Sequence, residues 1–254
     1  IDGEEIDAQT DYFPLLRGKV GRETLISLYC PKTGARWEET IKPISSGRLS
    51  DLLYKRWVSQ RAEEVKNLSD GKLGYVHIPS MDDESFRKVY SDALGKYYNC
   101  DGIVIDIRNN GGGRLHEDIE VLFTGTKYLE QMTKGRDYCP MPSRRWTKPS
   151  VMVTCEADYS NAHGTPWVYQ TMKIGKIVGM PVAGTMSSVN WITLQNPAIY
   201  FGVPAIGYMT KDGYYLENHQ VEPDVKQPLD FNEALQGRDT QIKRAVEVLR
   251  AEVK

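Results

Sequence analysis

Gly102-Ile103-Val104-Ile105-Asp106-Ile107-Arg108-Asn109-Asn110-Gly111-Gly112-Gly113 is the stretch on which the fold turns. Its first six residues are apolar except for Asp106, the pattern of a strand buried on both faces of a sheet. Three glycines follow, and a helix is expected to open near Arg114, carrying Leu115, Ile119, Val121, Leu122 and Phe123. Buried strand, tight turn and helix make half of a βα unit, and repeated units of that kind build parallel sheets covered by helices.

The same alternation extends outward. Upstream, Leu73-Gly74-Tyr75-Val76-His77-Ile78 reads as a strand leading to a helix from Asp83 to about Tyr97. Downstream, Val151-Met152-Val153-Thr154-Cys155 reads as a second buried strand, followed by a helix from about Asn161 to Lys173. Ile177–Met180, Trp191–Leu194 and Ala205–Met209 add β structure, and Asp239–Val253 closes the chain as a charged amphipathic helix. The expected fold class is α/β, a mainly parallel sheet with packed helices, over residues 71–254.

The first 70 residues read differently. Residues 1–44 are β-rich: a strand and turn at Ile1–Ile6, a short helix at Tyr12–Gly18, and strands Thr24–Tyr29 and Trp37–Ile41 around Pro31-Lys32-Thr33-Gly34. Residues 45–70 are expected to hold a linker at Ser45-Ser46-Gly47 and an amphipathic helix from an N-cap at Ser50 to Asn67. So small a β-rich segment has few core positions, so something ahead of Ile1 is expected to complete it.

Composition narrows the function classes. The 254 residues are 40% hydrophobic and 26% charged, with a net charge of -2, which supplies no electrostatic footprint for nucleic acid or an anionic membrane. No apolar run approaches the roughly 20 residues of a membrane-spanning helix. Cys30, Cys100, Cys139 and Cys155 form no CxxC pair, which argues against zinc and thioredoxin-type chemistry and for buried free thiols. Ile1 is not an initiator methionine, so the chain reads as a processed or excised form whose compartment stays open.

Sites in open α/β sheets gather beyond the carboxyl ends of the strands. At the first such end, Gly111-Gly112-Gly113 lets backbone N–H groups turn toward an anion or oxyanion. A phosphate loop is disfavoured because Arg114 stands where Gly-Lys-Ser/Thr would be needed; a plain tight turn is the ordinary alternative. At the second end, Glu156-Ala157-Asp158-Tyr159-Ser160-Asn161-Ala162-His163 places a serine where a strand turns into a helix. Such a serine is either an activated nucleophile or simply an N-cap. No Gly-x-Ser-x-Gly elbow is present to support an α/β-hydrolase.

Five motifs in order carry a family resemblance: Gly-Tyr-Val-His-Ile-Pro from Gly74, Ile-Val-Ile-Asp-Ile-Arg-Asn-Asn-Gly-Gly-Gly from Ile103, Glu-Ala-Asp-Tyr-Ser-Asn-Ala-His from Glu156, Gly-Lys-Ile-Val-Gly-Met-Pro-Val-Ala-Gly-Thr from Gly175, and Tyr-Leu-Glu-Asn-His-Gln-Val-Glu-Pro-Asp-Val from Tyr215. Together they resemble the catalytic core of the tail-specific peptidases (C-terminal processing peptidases), in the branch of the tricorn core protease. Residues 1–44 resemble the second half of the PDZ domain that precedes this core. The resemblance implies a crotonase-like or ClpP-like α/β fold and serine peptidase chemistry without a cofactor or metal. It implies a peptide or unfolded polypeptide as substrate, and it is compatible with self-assembly into a homo-oligomer. By position Ser160 matches the nucleophile, the N–H groups of Gly113 and Asn161 match the oxyanion hole, and Glu217 matches the acid that orients a catalytic histidine through an intervening serine.

Two departures stand out. The processing branch carries a lysine about 25 positions after its serine, where this chain has Thr185. In the tricorn branch the histidine lies ahead of the PDZ domain, so this chain is expected to lack its general base and to be nearly inactive alone. Of the four histidines, His163 is the candidate local base, one helical turn from Ser160; His77 reads as a satisfied core residue, and His116 and His219 as solvated surface. The rival readings are a noncatalytic peptide-binding scaffold of the same fold and a crotonase-like acyl-CoA enzyme.

Overall fold

The computed structural model describes residues 1–253, which divide into two compact units, one spanning Ile1–Ser59 and one beginning at Gln60. The first holds a one-turn helix, α1 (Phe13–Leu16), and an antiparallel pair, β1 (Thr24–Tyr29) and β2 (Arg36–Ile41). Tyr29 pairs with Arg36 across the turn, as the sequence leads one to expect. Helix α2 (Ser46–Leu68) runs through the boundary between the units. It starts four residues ahead of the expected cap, so the stretch read as a linker supplies its first turn. The cause is local: the Ser45 hydroxyl accepts from the Arg48 N–H at 3.2 Å, the bond an N-cap makes.

The second unit is built in chain order from β3 (Leu73–His77), α3 (Asp83–Ser91), β4 (Gly102–Asp106), α4 (His116–Phe123), β5 (Leu129–Thr133), β6 (Arg136–Met141), β7 (Ser150–Thr154), α5 (Asn161–Thr171), β8 (Lys176–Gly179), β9 (Ser187–Thr193), β10 (Tyr200–Gly207), β11 (Val225–Lys226), α6 (Phe231–Leu235) and α7 (Thr240–Glu252). Five strands form one sheet in the order β11-β8-β7-β4-β3, parallel at every pairing. Strands β3, β4 and β7 are buried at every residue. Alternation along β4 then divides the core. Ile103, Ile105 and Ile107 join Ile119, Leu122, Phe123, Ala162 and Tyr169 on the face covered by α4 and α5. Helix α7 packs on β4, β7 and β8 and buries Ile242, Ala245, Val246 and Leu249. The α/β class read from the sequence is the fold observed.

Several element boundaries differ. Helix α3 gives way to a π-helical turn at Asp92–Lys96, and α4 begins at His116 rather than near Arg114. Val121, expected on its apolar face, is exposed. The β structure at Trp191–Leu194 and Ala205–Met209 is a separate antiparallel hairpin, β9 with β10, outside the parallel sheet. The β5–β6 hairpin escapes the sequence because its strands are exposed or half-buried and carry no clean alternation. Its two-residue turn, Lys134-Gly135, has both φ angles positive, as a tight hairpin turn requires. All four cysteines are free, but they are half-buried rather than buried. No helix among the described residues is long and apolar enough to cross a membrane.

Candidate active site

The ends of β4 and β7 meet. After β4 the chain makes its glycine turn, and after β7 it runs through Cys155–Tyr159 to Ser160. Tyr159 N–H donates to the Asn110 carbonyl at 3.0 Å, and Asn109 N–H donates to the Cys155 sulfur at 3.3 Å. Asn110 organises its own loop: its Oδ1 accepts from Gly112 N–H at 2.8 Å and its Nδ2 donates to the Ile78 carbonyl at 2.8 Å.

Gly112 and Gly113 stand where nothing larger fits, whereas Gly111 faces open space. Gly112 has φ +97°, and a Cβ on it would stand 2.6 Å from the Ser160 Cβ and 3.1 Å from the Asn161 nitrogen. Gly113 has φ +135°, and its Cβ would meet the Met81 carbonyl oxygen at 2.2 Å. Met81 N–H donates to the Gly112 carbonyl while Arg114 N–H donates to the Met81 carbonyl, at 2.9 and 2.7 Å. In that ladder the N–H of Gly113 points away from Met81. Among the described residues neither it nor the Asn161 N–H has a hydrogen-bond acceptor. An N–H without an acceptor is available to bind an anion.

Ser160 stands at the N-cap position of α5, yet its side chain makes no capping bond. Its backbone, φ 57° and ψ -120°, lies outside the extended region that ordinary N-caps adopt. Such conformations cost of order 1–3 kcal/mol and persist only where neighbours over-determine them. The ordinary reading of this serine as a cap is therefore set aside by the geometry. Its N–H donates to Thr185 Oγ1 at 2.9 Å, and its carbonyl accepts from His163 N–H at 2.8 Å. Thr185 thus occupies the place of the processing branch's lysine and holds the main chain of Ser160.

The Asn161 side chain caps a neighbour. Its Oδ1 accepts from Leu115 and His116 N–H at 2.8 and 3.1 Å, and its Nδ2 bonds His116 Nδ1 at 2.7 Å. His116 is accordingly half-buried on Asn161 rather than a solvated surface residue. His77 is buried with Nε2 on the Arg108 carbonyl at 3.1 Å, as a core histidine is expected to be. His219 is exposed, with its ring 4.8 Å from that of Tyr214.

His163 is fully buried. Its Nε2 bonds the His219 carbonyl at 2.8 Å, which assigns the proton to Nε2, and Nδ1 is buried without a partner. Burial holds its pKa below the ordinary value, with the bond to His219 and the Glu217 charge acting the other way, so the ring is neutral near pH 7. Helical spacing brings it onto α5 beside Ser160 but not into hydrogen-bond contact with the hydroxyl. Glu217 is half-buried, and Ser187 Oγ donates to its Oε2 at 2.7 Å. Ser187 opens a strand and carries no signal of its own in the sequence, so only the fold reveals this pair.

Below the loops lie two buried polar groups of residues. Asp158 accepts from Cys155 N–H at 3.0 Å and lies 3.4 Å from Asn110 N–H; burial and the Asp106 charge push its pKa up to about 7. Burial and the Asp158 charge raise the Cys155 thiol to about 11, so it is protonated and not a nucleophile at neutral pH. Further down, Arg108 binds Asp106 at 2.6 Å and Asp239 at 2.9 Å, while Tyr75 donates to Asp106 at 2.9 Å. Arg61 reaches the same Asp239 at 3.1 Å. Asp239 also caps α7 through Gln241 and Ile242 N–H, so this network ties the root of the glycine turn to the last helix.

This fold belongs to a known class. The sequence profile of Peptidase family S41 matches residues 72–227, more than half of the chain, and the chain belongs to that family. Within it, the chain is 26% identical to a tricorn protease homolog of Saccharolobus solfataricus and 25% identical to the tricorn protease of Thermoplasma acidophilum, over 98% and 100% of its own length. It spans 23% of each of those relatives. The crystal structure of the tricorn protease superposes with a TM-score of 0.85 at 24% identity, covering 99% of this chain and 24% of that one.

Proposed function

We propose that this chain carries the nucleophile and oxyanion half of a serine endopeptidase site acting on peptides or unfolded polypeptides. One observation carries the reading: Ser160 is strained at the head of α5, its hydroxyl is not used as a cap, and the N–H groups of Gly113 and Asn161 are free beside it. Ser160 Oγ gives its proton to an acceptor and attacks the peptide carbonyl, while the two N–H groups stabilise the oxyanion that develops. The C–N bond breaks, the amine product leaves with that proton, and water hydrolyses the acyl-enzyme. Glu217, held by Ser187, orients the proton acceptor. No imidazole or amine among the described residues bonds the Ser160 hydroxyl, and the family resemblance supports an acceptor supplied from outside residues 1–254. We further propose the organisation of a partial PDZ-like segment at 1–44, a helical connection at 45–70 and a catalytic core at 71–254; the family match beginning at residue 72 supports the last boundary.

Labelling by a fluorophosphonate, with the modified residue identified by mass spectrometry, tests the assignment. Ser160→Ala in the full-length protein is expected to lose labelling and to lower kcat on an unstructured polypeptide by about a thousandfold or more, with the fold intact. Residual activity above about a tenth of wild type would sink the assignment. A noncatalytic scaffold is the second reading, and the partnerless hydroxyl favours it. The isolated chain and the full-length protein, assayed on the same substrate, separate the two. Activity in the full-length protein alone matches an external base, activity in neither matches a scaffold, and equal activity in both refutes the external base. In that last case loss of activity in His163→Ala would make His163 the base.

A further inference from the structure

The main chain of Ser160 is held in its positive-φ conformation from three sides. Tyr159 N–H reaches the Asn110 carbonyl, the Ser160 carbonyl takes the His163 N–H, and the Ser160 N–H reaches Thr185 Oγ1. The first two are backbone bonds that any sequence can make. The third depends on a hydroxyl being at residue 185.

That hydroxyl is itself fixed. Thr185 Oγ1 donates to the Ala183 carbonyl at 3.3 Å, which turns its lone pairs toward Ser160. The segment around it is locked as well. Val182 exchanges both backbone bonds with Val221, the Gly184 carbonyl accepts from Asn218 N–H at 2.9 Å, and Met186 is buried. A Cβ on Gly184 would fall 2.3 Å from the His219 nitrogen, so this segment sits directly against the strip that carries Glu217. Thr185 therefore references the nucleophile's backbone to the same rigid segment that positions the carboxylate.

We propose that Thr185 is a positioning residue that sets the direction of the Ser160 hydroxyl and, through the next peptide, of the Asn161 N–H. This rests on the reading of Ser160 as nucleophile. With a threonine in place of the processing branch's lysine, the position acts on the backbone amide rather than on the hydroxyl proton. Its contribution is to geometry: a displacement of about 1 Å in a reacting group costs roughly a hundredfold in rate.

The test uses Thr185→Val and Thr185→Ser in the full-length protein. Valine keeps the shape and removes the acceptor, whereas serine keeps the acceptor. Two readouts are followed: kcat and KM on an unstructured polypeptide, and hydrogen exchange of the Ser160 amide. T185V is expected to lower kcat about tenfold to a hundredfold with KM within about twofold, and to accelerate exchange at Ser160. T185S is expected to restore both. Wild-type exchange in T185V overturns the proposal. So does a loss in T185V that T185S fails to rescue, since that is packing and not the hydroxyl. If the wild-type protein is never labelled at Ser160, the nucleophile reading fails, and the exchange measurement alone then decides whether Thr185 holds this backbone.

Discussion

The five-stranded parallel sheet and the β9–β10 hairpin lie in one unit and are both apolar, yet they live in opposite environments. Ile103, Val104 and Ile105 are 0% exposed, whereas Trp191 is 65% and Phe201 60% exposed. The hairpin from Ser187 to Gly207 contains no charged residue, and its partners alternate so that Trp191 and Tyr200 lie on one face and Ile192 and Phe201 on the other. The contrast teaches where this protein can hold strain. Ser160 keeps an unfavourable backbone conformation, and Gly112 and Gly113 keep one closed to other residues, because they sit at the ends of strands locked on both faces. The hairpin meets the candidate site at its root, where Ser187 bonds Glu217.

The sharpest way to break that contrast is to attack the sheet's polar anchor. Arg108→Ala would leave Asp106 buried without its closest cation and is expected to cost about 3–5 kcal/mol in urea unfolding. A loss near zero would mean that the buried network does not hold the glycine turn. Gly113→Ala comes next. Its Cβ would meet the Met81 carbonyl at 2.2 Å, so the loop must move and carry its N–H with it. Fluorophosphonate labelling of Ser160 is then expected to slow by roughly a hundredfold to a thousandfold. Labelling at the wild-type rate would remove Gly113 from the oxyanion hole.

A further effect concerns pH. Asp158 has a pKa of about 7 in the fold against 3.8 as its reference, so the folded state binds the extra proton between those values. Stability contributed by this group is therefore present below about pH 4 and lost as pH rises through 7. Asp158→Asn is expected to flatten that part of the stability curve relative to wild type, and identical curves would count against the shift. The smallest effect belongs to the hairpin: Phe201→Ser and Ile206→Ser are expected to change stability by less than about 0.5 kcal/mol, because their side chains are already in solvent. A loss of about 2 kcal/mol in the full-length protein would show that something covers this hairpin.

The sheet was legible in the sequence because its strands are buried on both faces. Continuous apolar runs such as Ile103–Ile105 and Val151–Val153 fit few environments besides the middle of a covered sheet. The β5–β6 pair was not legible, since exposed strands are free to carry Glu130, Gln131 and Arg136 without a pattern. Within the candidate site, the order of motifs pointed to Gly113, Ser160, Asn161 and Glu217. Nothing in the sequence pointed to Ser187.

By itself the sequence determined the parallel α/β core, the glycine turn after β4 and the serine at the head of α5, because local propensity and burial pattern act over a few residues. Only the tertiary structure decided that the Ser160 hydroxyl is left uncapped, that Thr185 takes its N–H, that His163 commits Nε2 to the His219 carbonyl, and that Ser187 answers Glu217. Those contacts join residues 25 to 56 positions apart. No spacing rule reaches that far, since the distance between two side chains on different strand ends is fixed by how the sheet orders its strands and by which loop packs on which.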